Sequence, residues 1–405
     1  MSRNGKVIVA MSGGVDSSVA ASMLKDQGYD CIGVFLRVGA EPVETHSCDI
    51  TDGRPARRLK HGCCSATDAI DARSISQRLG MPFYALNFQA DFDHIIDYFV
   101  DEYAQARTPN PCVMCNIHVK FGRLFKYADA MDAEFVATGH YARVLHDERG
   151  AHLTRSANAA KDQTYVLFGI RKENLHRCIF PLGAMTNKAD VRGIAESLGL
   201  AVHDKPDSQE ICFVPNNDYG ELVRARRPDA VRAGAVIDAD GNEVGKHDGV
   251  IHYTIGQRRG LGIAAGKPIY VTKLDILNNT VTVGDREDCL HSGLLATDMN
   301  WLEPIPTDRK QVEIKIRHMH QATSGWLEIE EPRDDDAATL MNGTRVRAGF
   351  DTPQLSVTPG QAAVFYDNNI VLGGGWIHRS LKQGAEDESN ESGSVRPPCR
   401  TSSTR

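Results

Sequence analysis

No run of apolar residues approaches the ~18 needed to cross a bilayer as a helix. The opening segment Met1-Ser2-Arg3-Asn4-Gly5-Lys6 leads straight into a short strand-like stretch. It shows neither the apolar core nor the small-residue cleavage site of a secretory leader. The expectation is a cytoplasmic protein without a membrane partner. Positive charge is not in excess either: 46 Lys and Arg stand against 53 Asp and Glu, a formal net charge of −7. That excludes a globally basic nucleic-acid binder and leaves room for a local basic face, because phosphate binding depends on where the charges sit. With 405 residues, 41% hydrophobic and 24% charged, the chain has the length of two or three ordinary globular domains. A core of that size needs no disulfide staples. The 10 cysteines therefore read as buried small hydrophobes for the most part, with a few reactive thiols or metal ligands among them.

Residues 6–140 alternate short apolar runs with helical patterns. Strands are expected over 6–11, 31–36, 83–86 and 135–138. Helices are expected over 17–27, 65–79 and 91–106, with Gly28 and Gly80 as stops after the first two. This alternation predicts an α/β domain with a doubly wound parallel sheet over 1–205. The pattern breaks at 39–64, read as an insertion after the second strand. There His46, Cys48, His61, Cys63 and Cys64 lie beside the basic run Arg54, Arg57, Arg58 and Lys60. Their irregular spacing allows a zinc site or a structureless insertion. Near 206 glycines become frequent and helical periodicity fades, which suggests a small central domain over 206–290 with short strands and turns in 249–262, 269–274 and 281–283. From 291 to 381 short strands at 312–317, 325–329, 344–348, 362–366 and 370–372 predict a C-terminal β-barrel. The tail 382–405, rich in Ser, Glu, Gly and Pro and carrying Cys399, is expected to be disordered.

Chemistry enters at Ala10-Met11-Ser12-Gly13-Gly14-Val15-Asp16-Ser17-Ser18, between the first strand and the first helix. Adjacent glycines let backbone N–H groups face an anion without a Cβ in the way, and the helix start adds its positive end. Ser17 and Ser18 are further donors. No Gly-Lys-Ser/Thr follows, so the loop is not of the Walker type, and it lacks the Gly-x-Gly-x-x-Gly spacing of dinucleotide sites. Ser-Gly-Gly-Val-Asp-Ser-Ser instead resembles the PP-loop of N-type ATP pyrophosphatases, which hold pyrophosphate while ATP is split between its α and β phosphates. The resemblance implies ATP contacts from Ala10, Met11, Ser12, Gly13, Gly14, Val15, Asp16 and Ser17, with Leu36 and Gly139 completing the nucleotide site. Asp16 would position Mg²⁺.

Two further segments, Arg107-Thr108-Pro109-Asn110-Pro111-Cys112-Val113-Met114-Cys115-Asn116 and Asp207-Ser208-Gln209-Glu210-Ile211-Cys212-Phe213-Val214, accompany the loop. So do Thr138-Gly139-His140-Tyr141, Lys161-Asp162-Gln163-Thr164-Tyr165, Tyr253-Thr254-Ile255-Gly256-Gln257-Arg258-Arg259-Gly260 and Pro359-Gly360-Gln361-Ala362-Ala363-Val364-Phe365-Tyr366. Together they resemble the tRNA-specific 2-thiouridylase family over about residues 5–378. The resemblance implies ATP-dependent 2-thiolation of the wobble uridine (U34) of tRNA. The uracil O2 would be adenylated, and Cys212 would carry sulfur as a persulfide supplied by a donor protein. Cys115 would release it, leaving a Cys115–Cys212 disulfide. Asn110, Pro111 and Cys112 would meet the target base, and Lys161, Asp162, Gln163, Arg317, His318, His140 and Gln361 the tRNA. Arg258 and Arg259 are additional phosphate candidates.

The chain departs from the common family pattern at Cys112, where an Asp with an acid–base role is usual. The resulting Cys112-x-x-Cys115 leaves a second route open: Cys112, Cys115 and Cys212 as ligands of a [4Fe–4S] cluster with one iron left for hydrosulfide. Another PP-loop adenylating ligase, akin to NAD synthetase, and a non-catalytic RNA-binding module with a structural metal are the rival readings.

Overall fold

A computed structural model describes residues 4–37, 66–200, 202–205, 211–214, 218–330 and 344–382. The expected insertion 39–64 with His46, Cys48, His61, Cys63 and Cys64 lies outside the described residues, as do 207–210 and the tail from 383 onward.

The first layer is built from β1 (Lys6–Met11), α1 (Val15–Asp26), β2 (Asp30–Arg37), α2 (Ala66–Arg78), β3 (Phe83–Asn87) and α3 (Gln89–Ala104). It continues through α4 (Pro111–Met114), a π-helical stretch Cys115–Arg123, α5 (Leu124–Ala130) and β4 (Phe135–Ala137). A hairpin β5 (Arg143–Asp147) and β6 (Gly150–Thr154) follows, then β7 (Cys178–Ile179) and α6 (Lys188–Ser197). The parallel sheet runs β3-β2-β1-β4-β7. Alternation along β1 explains its two covers. Val7, Val9 and Met11 face one cluster with Val19, Ala20 and Leu24 of α1 and Val191 and Ala195 of α6. Ile8 faces another with Phe92 and Ile95 of α3 and Leu124 and Phe125 of α5. Successive strands wind one way to β3 and the other way to β4, so the chain direction switches between the carboxyl ends of β1 and β4. Open parallel sheets bind ligands at such a crevice.

The central unit contains α7 (Tyr219–Arg226), β8 (Gly234–Ile237), β9 (Glu243–His247), β10 (Tyr270–Asp275) and β11 (Thr280–Gly284) in the order β10-β11-β8-β9. The strands expected in 249–262 are replaced by a 3₁₀ turn, Val250–His252, and further turns. Gly256, Gly260 and Gly262 have positive φ there, which interrupts extended pairing. The last unit is a closed barrel of β12 (Leu290–Trp301), β15 (Arg345–Leu355), β14 (Thr323–Glu330), β13 (Lys310–Lys315), β16 (Ala362–Asp367) and β17 (Ile370–Leu381), sealed by β12–β17 pairing. Its strands run longer than the expected ones because bulges, as at Thr297/Asn300, bend β12 and β17 around the closure without ending them.

Two features to which the sequence assigned no element bear on function. The proline-bracketed stretch around Cys112 is helical: Pro111 occupies the first turn, where its missing N–H costs nothing, and the Asn110 side chain caps it by accepting from Val113 N at 3.3 Å. The hairpin β5–β6 extends the barrel sheet through Ile370 and Thr154, joining the first unit to the last.

That junction is held by His152, 3% exposed, whose ring nitrogens meet Glu303 Oε1 at 2.6 Å and Asp147 Oδ1 at 2.8 Å. Burial opposes its charge, but the two carboxylate hydrogen bonds outweigh burial and raise its pKa. A raised folded-state pKa gives stability that is complete below the unfolded value near 6.5 and is lost as pH rises through the folded value. Thermal melting between pH 5.5 and pH 8.5 is expected to show the wild type losing roughly 2–4 °C more than His152→Gln, after discounting for the exposure of Asp147. Parallel pH profiles would contradict the protonated clamp.

Candidate functional site

The loop after β1 sits at the switch point. Gly14 is the N-cap of α1, in an extended conformation without a side-chain cap, and the first N–H groups of any helix lack intrahelical acceptors. Gly13 has φ +68, and a Cβ there would lie 2.3 Å from the Asp68 carbonyl. The Ser17 hydroxyl donates to Gly14 O at 3.2 Å and accepts from Ser12 N at 3.1 Å. The Ser18 hydroxyl donates to Gly14 O at 2.6 Å. Both serines are buried, and their hydroxyls hold the shape of the loop. Gly139, just past β4, closes on the loop: a Cβ there would lie 2.8 Å from Asp16 C and Ser17 N. Leu36, near the end of β2, and Ala10 both pack against the same core cluster.

Two lysines that sequence reasoning missed reach this loop. Lys188 Nζ lies 2.6 and 2.7 Å from the two Asp16 carboxylate oxygens, and Tyr141 donates its hydroxyl to Oδ1 at 2.8 Å. Lys205 Nζ donates to Gly13 O at 2.9 Å and to Asp68 and Asp71 at 2.6 and 3.0 Å. Their partners are 172 and 192 residues away, beyond any local pattern. The one hint for Lys188 is a cation in the first turn of a helix, against the helix dipole.

The cysteines separate by environment. Cys31, Cys178 and Cys289 are buried, and burial raises all three thiol pKa values, that of Cys31 to about 11. They are poor nucleophiles. Cys112 is exposed, and Cys115 and Cys212 are half-buried. Cys115 and Cys212 pack on the same core cluster. Phe213, next to Cys212, stands edge-on to Phe92 and Phe99 of α3 with centroids 5.5 and 5.1 Å away. The helix that leads into the Cys112 segment thus also seats Cys212. Among the described residues no three His, Cys, Asp or Glu side chains gather as a metal site.

The other expected site residues occupy varied settings. His140 is 9% exposed, with its Nδ1 2.7 Å from Thr138 Oγ1. Burial first, then the charges of Lys120 and His318, holds its pKa well below the ordinary value, so it is neutral. Asp162 is buried and accepts from Ser156 N and the Thr164 hydroxyl. Gln163 Oε1 accepts from Tyr141 N at 2.9 Å. Lys161 is half-buried, as are Arg317 and His318. Arg317 donates to Leu355 O at 2.8 Å, and the His318 ring lies 6.2 Å from that of Tyr165. The Gln361 amide donates to Thr108 O at 3.2 Å and Pro109 O at 3.1 Å. Beside it Gly360, φ +89, would place a Cβ 2.8 Å from both Thr108 O and Glu102 Oε2. The barrel therefore grips the segment that enters the Cys112 helix.

Three family models match consecutively: a tRNA methyl transferase HUP domain over 5–216, a tRNA methyl transferase PRC-barrel domain over 224–285 and an aminomethyltransferase β-barrel domain over 291–377. The tRNA-specific 2-thiouridylase MnmA of Rhodopirellula baltica is 46% identical over 400 residues, covering 93% of this chain and 97% of its own. That of Symbiobacterium thermophilum is 44% identical, covering 93% of each chain. A slighter likeness, 18% identity and a TM-score of 0.35 over 56% of this chain and 51% of the other, links it to a 4-thiouridine synthetase solved with RNA and bound ATP. On the strength of the near full-length matches, the chain belongs to the tRNA-specific 2-thiouridylase family.

Proposed function

We propose that this protein is a cytoplasmic tRNA-uridine 2-sulfurtransferase acting on the wobble uridine. The observation that supports the reading is a pairing within one unit: a glycine-lined loop at the sheet switch point, and two cysteines outside the buried set, Cys115 and Cys212, on one core cluster. ATP would occupy the loop with Leu36 and Gly139 at its edges, and the uracil O2 would attack the α phosphate and expel pyrophosphate. Mg²⁺, held by Asp16, would supply charge neutralisation on the phosphates. A donor protein would load Cys212 with a persulfide. Cys115 thiolate then attacks the Cys212 sulfur, releasing hydrosulfide. Hydrosulfide adds to C2, AMP departs with the oxygen, and C2=S forms. The two cysteines are left oxidised as a disulfide for an external dithiol to reduce. Asn110, Pro111 and Cys112 at the helix start would face the target base. Lys161, Arg317, His318 and His140 would line the tRNA side, with Asp162, Gln163 and Gln361 shaping it. An assay for tRNA-dependent AMP formation tests the reading: AMP with a small-molecule acceptor in place of tRNA would mark another adenylating ligase, and no AMP a binding module.

A [4Fe–4S] route through Cys112, Cys115 and Cys212 is the alternative to the thiol route. Protein purified without oxygen and analysed for iron and sulfide decides between them. Iron-free protein active with a persulfide donor sustains the thiols, and stoichiometric iron that tracks activity overturns them.

Gln361→Leu removes both amide donors to the Thr108 and Pro109 carbonyls. The expected result is thiolation roughly tenfold slower, from a loosened Cys112 segment, with ATP affinity unchanged. Wild-type rates would show that the amide does not position that segment.

A further inference from the structure

The motif at 253–260 of the central unit takes no part in the chemistry above. Around it, residues 251–274 carry four cations, Arg258, Arg259, Lys267 and Lys273, and no Asp or Glu, in a chain whose net charge is −7. Ion pairs claim two of the four: Lys267 meets Asp285 at 2.6 Å and Lys273 meets Asp275 at 3.5 Å. Arg258 and Arg259 are exposed. Among the described residues neither guanidinium has a carboxylate or carbonyl partner.

The turn that presents them is tied down. Gly256 N donates to Val271 O at 2.7 Å and Val271 N to Gln257 O at 3.0 Å, which roots the turn on β10. The Gln257 side chain braces it on both sides: Oε1 accepts from Thr254 N at 3.0 Å, and Nε2 donates to Arg259 O at 3.1 Å. Beyond the arginines the chain bends around a cleft of about 440 Å³, lined by Leu261, Ile263 and Ile269 together with Arg258 and Lys267. An RNA backbone offers a match for both kinds of lining, phosphates for the cations and sugars for the apolar side chains. The turn also rests on the barrel. A Cβ on Gly256 would lie 1.8 Å from Ser356 Oγ, and the residue before Ser356, Leu355, accepts from Arg317 at 2.8 Å. Consecutive barrel residues thus seat Arg317 and the root of the Arg258–Arg259 turn, so the two cationic regions adjoin.

We propose that the loop 256–267 of the central unit is a second docking surface for tRNA, on which Arg258 and Arg259 take phosphates of the RNA backbone. This rests on the reading above that tRNA is the substrate and that Arg317 faces it. The surface extends that face from the barrel onto the central unit. Its contribution is to affinity and placement and carries no base recognition, because phosphates are the same at every position. Bracing of the turn before RNA arrives lowers the ordering cost of the contact.

The test is equilibrium binding of a full-length tRNA transcript to the full chain over roughly 50–200 mM salt. It compares wild type, the Arg258→Ala/Arg259→Ala pair and the Arg258→Lys/Arg259→Lys pair, with thermal melting as a check on folding. The alanine pair is expected to bind tRNA roughly tenfold more weakly at the low-salt end. Its plot of log affinity against log salt should be flatter than that of wild type by about 1.4 to 1.8, the share of two phosphate contacts. The lysine pair should keep most of the wild-type slope, because the slope counts charges. The loss should be the same for a transcript with another base at position 34. Wild-type affinity and slope in the alanine pair overturn the proposal and leave the tRNA reading standing. A weaker affinity with an unchanged slope, or a loss confined to transcripts with U34, also overturns it, since neither is a backbone phosphate contact. If wild type itself binds no tRNA, the tRNA reading falls with it.

Discussion

Cys212→Ser is expected to end sulfur transfer, lowering thiolated tRNA by a factor on the order of 10³ or more, while ATP and tRNA affinities stay within about twofold of wild type. The separation follows from how Cys212 is seated. Its neighbour Phe213 anchors the segment by standing edge-on between Phe92 and Phe99, and Val214 is buried in the same group of side chains. Replacing one half-buried sulfur by oxygen leaves those anchors in place. The loop after β1, by contrast, is built by β1, α1, α2 and Gly139. What the hydroxyl cannot do is carry a second sulfur. Thionucleoside analysis of tRNA after incubation with ATP and a persulfide donor checks the outcome. Cys115→Ser provides the complementary result, a persulfide that loads on Cys212 and is not discharged. Thiolation by Cys212→Ser above a tenth of the wild-type rate would remove Cys212 from the sulfur path.

Much of this was legible in the residues. The loop announces itself because glycines, hydroxyls and an acid at a strand–helix junction obey local rules, and the doubly wound sheet follows from alternation alone. The helix at the proline-bracketed Cys112 segment was hard to foresee for a physical reason: proline breaks helices from within but starts them well, and the neighbouring Asn110 cap separates the two cases. The hairpin β5–β6 was missed because it belongs to a sheet whose other strands lie more than a hundred residues onward. The largest gap is Lys188 and Lys205, ordinary lysines whose meaning comes entirely from tertiary partners. Family resemblance supplied site residues without their present bonds. Asp162 and Gln163 carry hydrogen bonds that fold their own neighbourhood, and Gln361 tethers the barrel to the segment before Cys112.

Gly13→Ala and Gly14→Ala are expected to differ sharply although the two positions are adjacent. At Gly13 the backbone is left-handed, φ +68, and the new Cβ would lie 2.3 Å from Asp68 O and 2.9 Å from Asp68 C and Cα. These are backbone atoms at the start of α2 and have no rotamer through which to yield. Retreat of α2 is resisted by Lys205, which bonds Asp68 at 2.6 Å and Gly13 O at 2.9 Å and so holds both sides of the clash. The loop itself must deform, and with it the direction of the amides that would receive pyrophosphate. At Gly14 the backbone is extended, φ −102 and ψ 169, and a Cβ would meet only the Ser12 hydroxyl, at 3.3 Å. Gly13→Ala should therefore cut tRNA-dependent pyrophosphate formation roughly a hundredfold or more, by misaiming preorganised donors. Gly14→Ala should cost roughly tenfold at most, the difference between displacing a helix backbone and turning one hydroxyl. Melting temperatures identify any variant that fails through unfolding rather than through the site. Equal losses from the two substitutions, in proteins that melt like wild type, would mean that the left-handed turn at Gly13 is not what aims the loop.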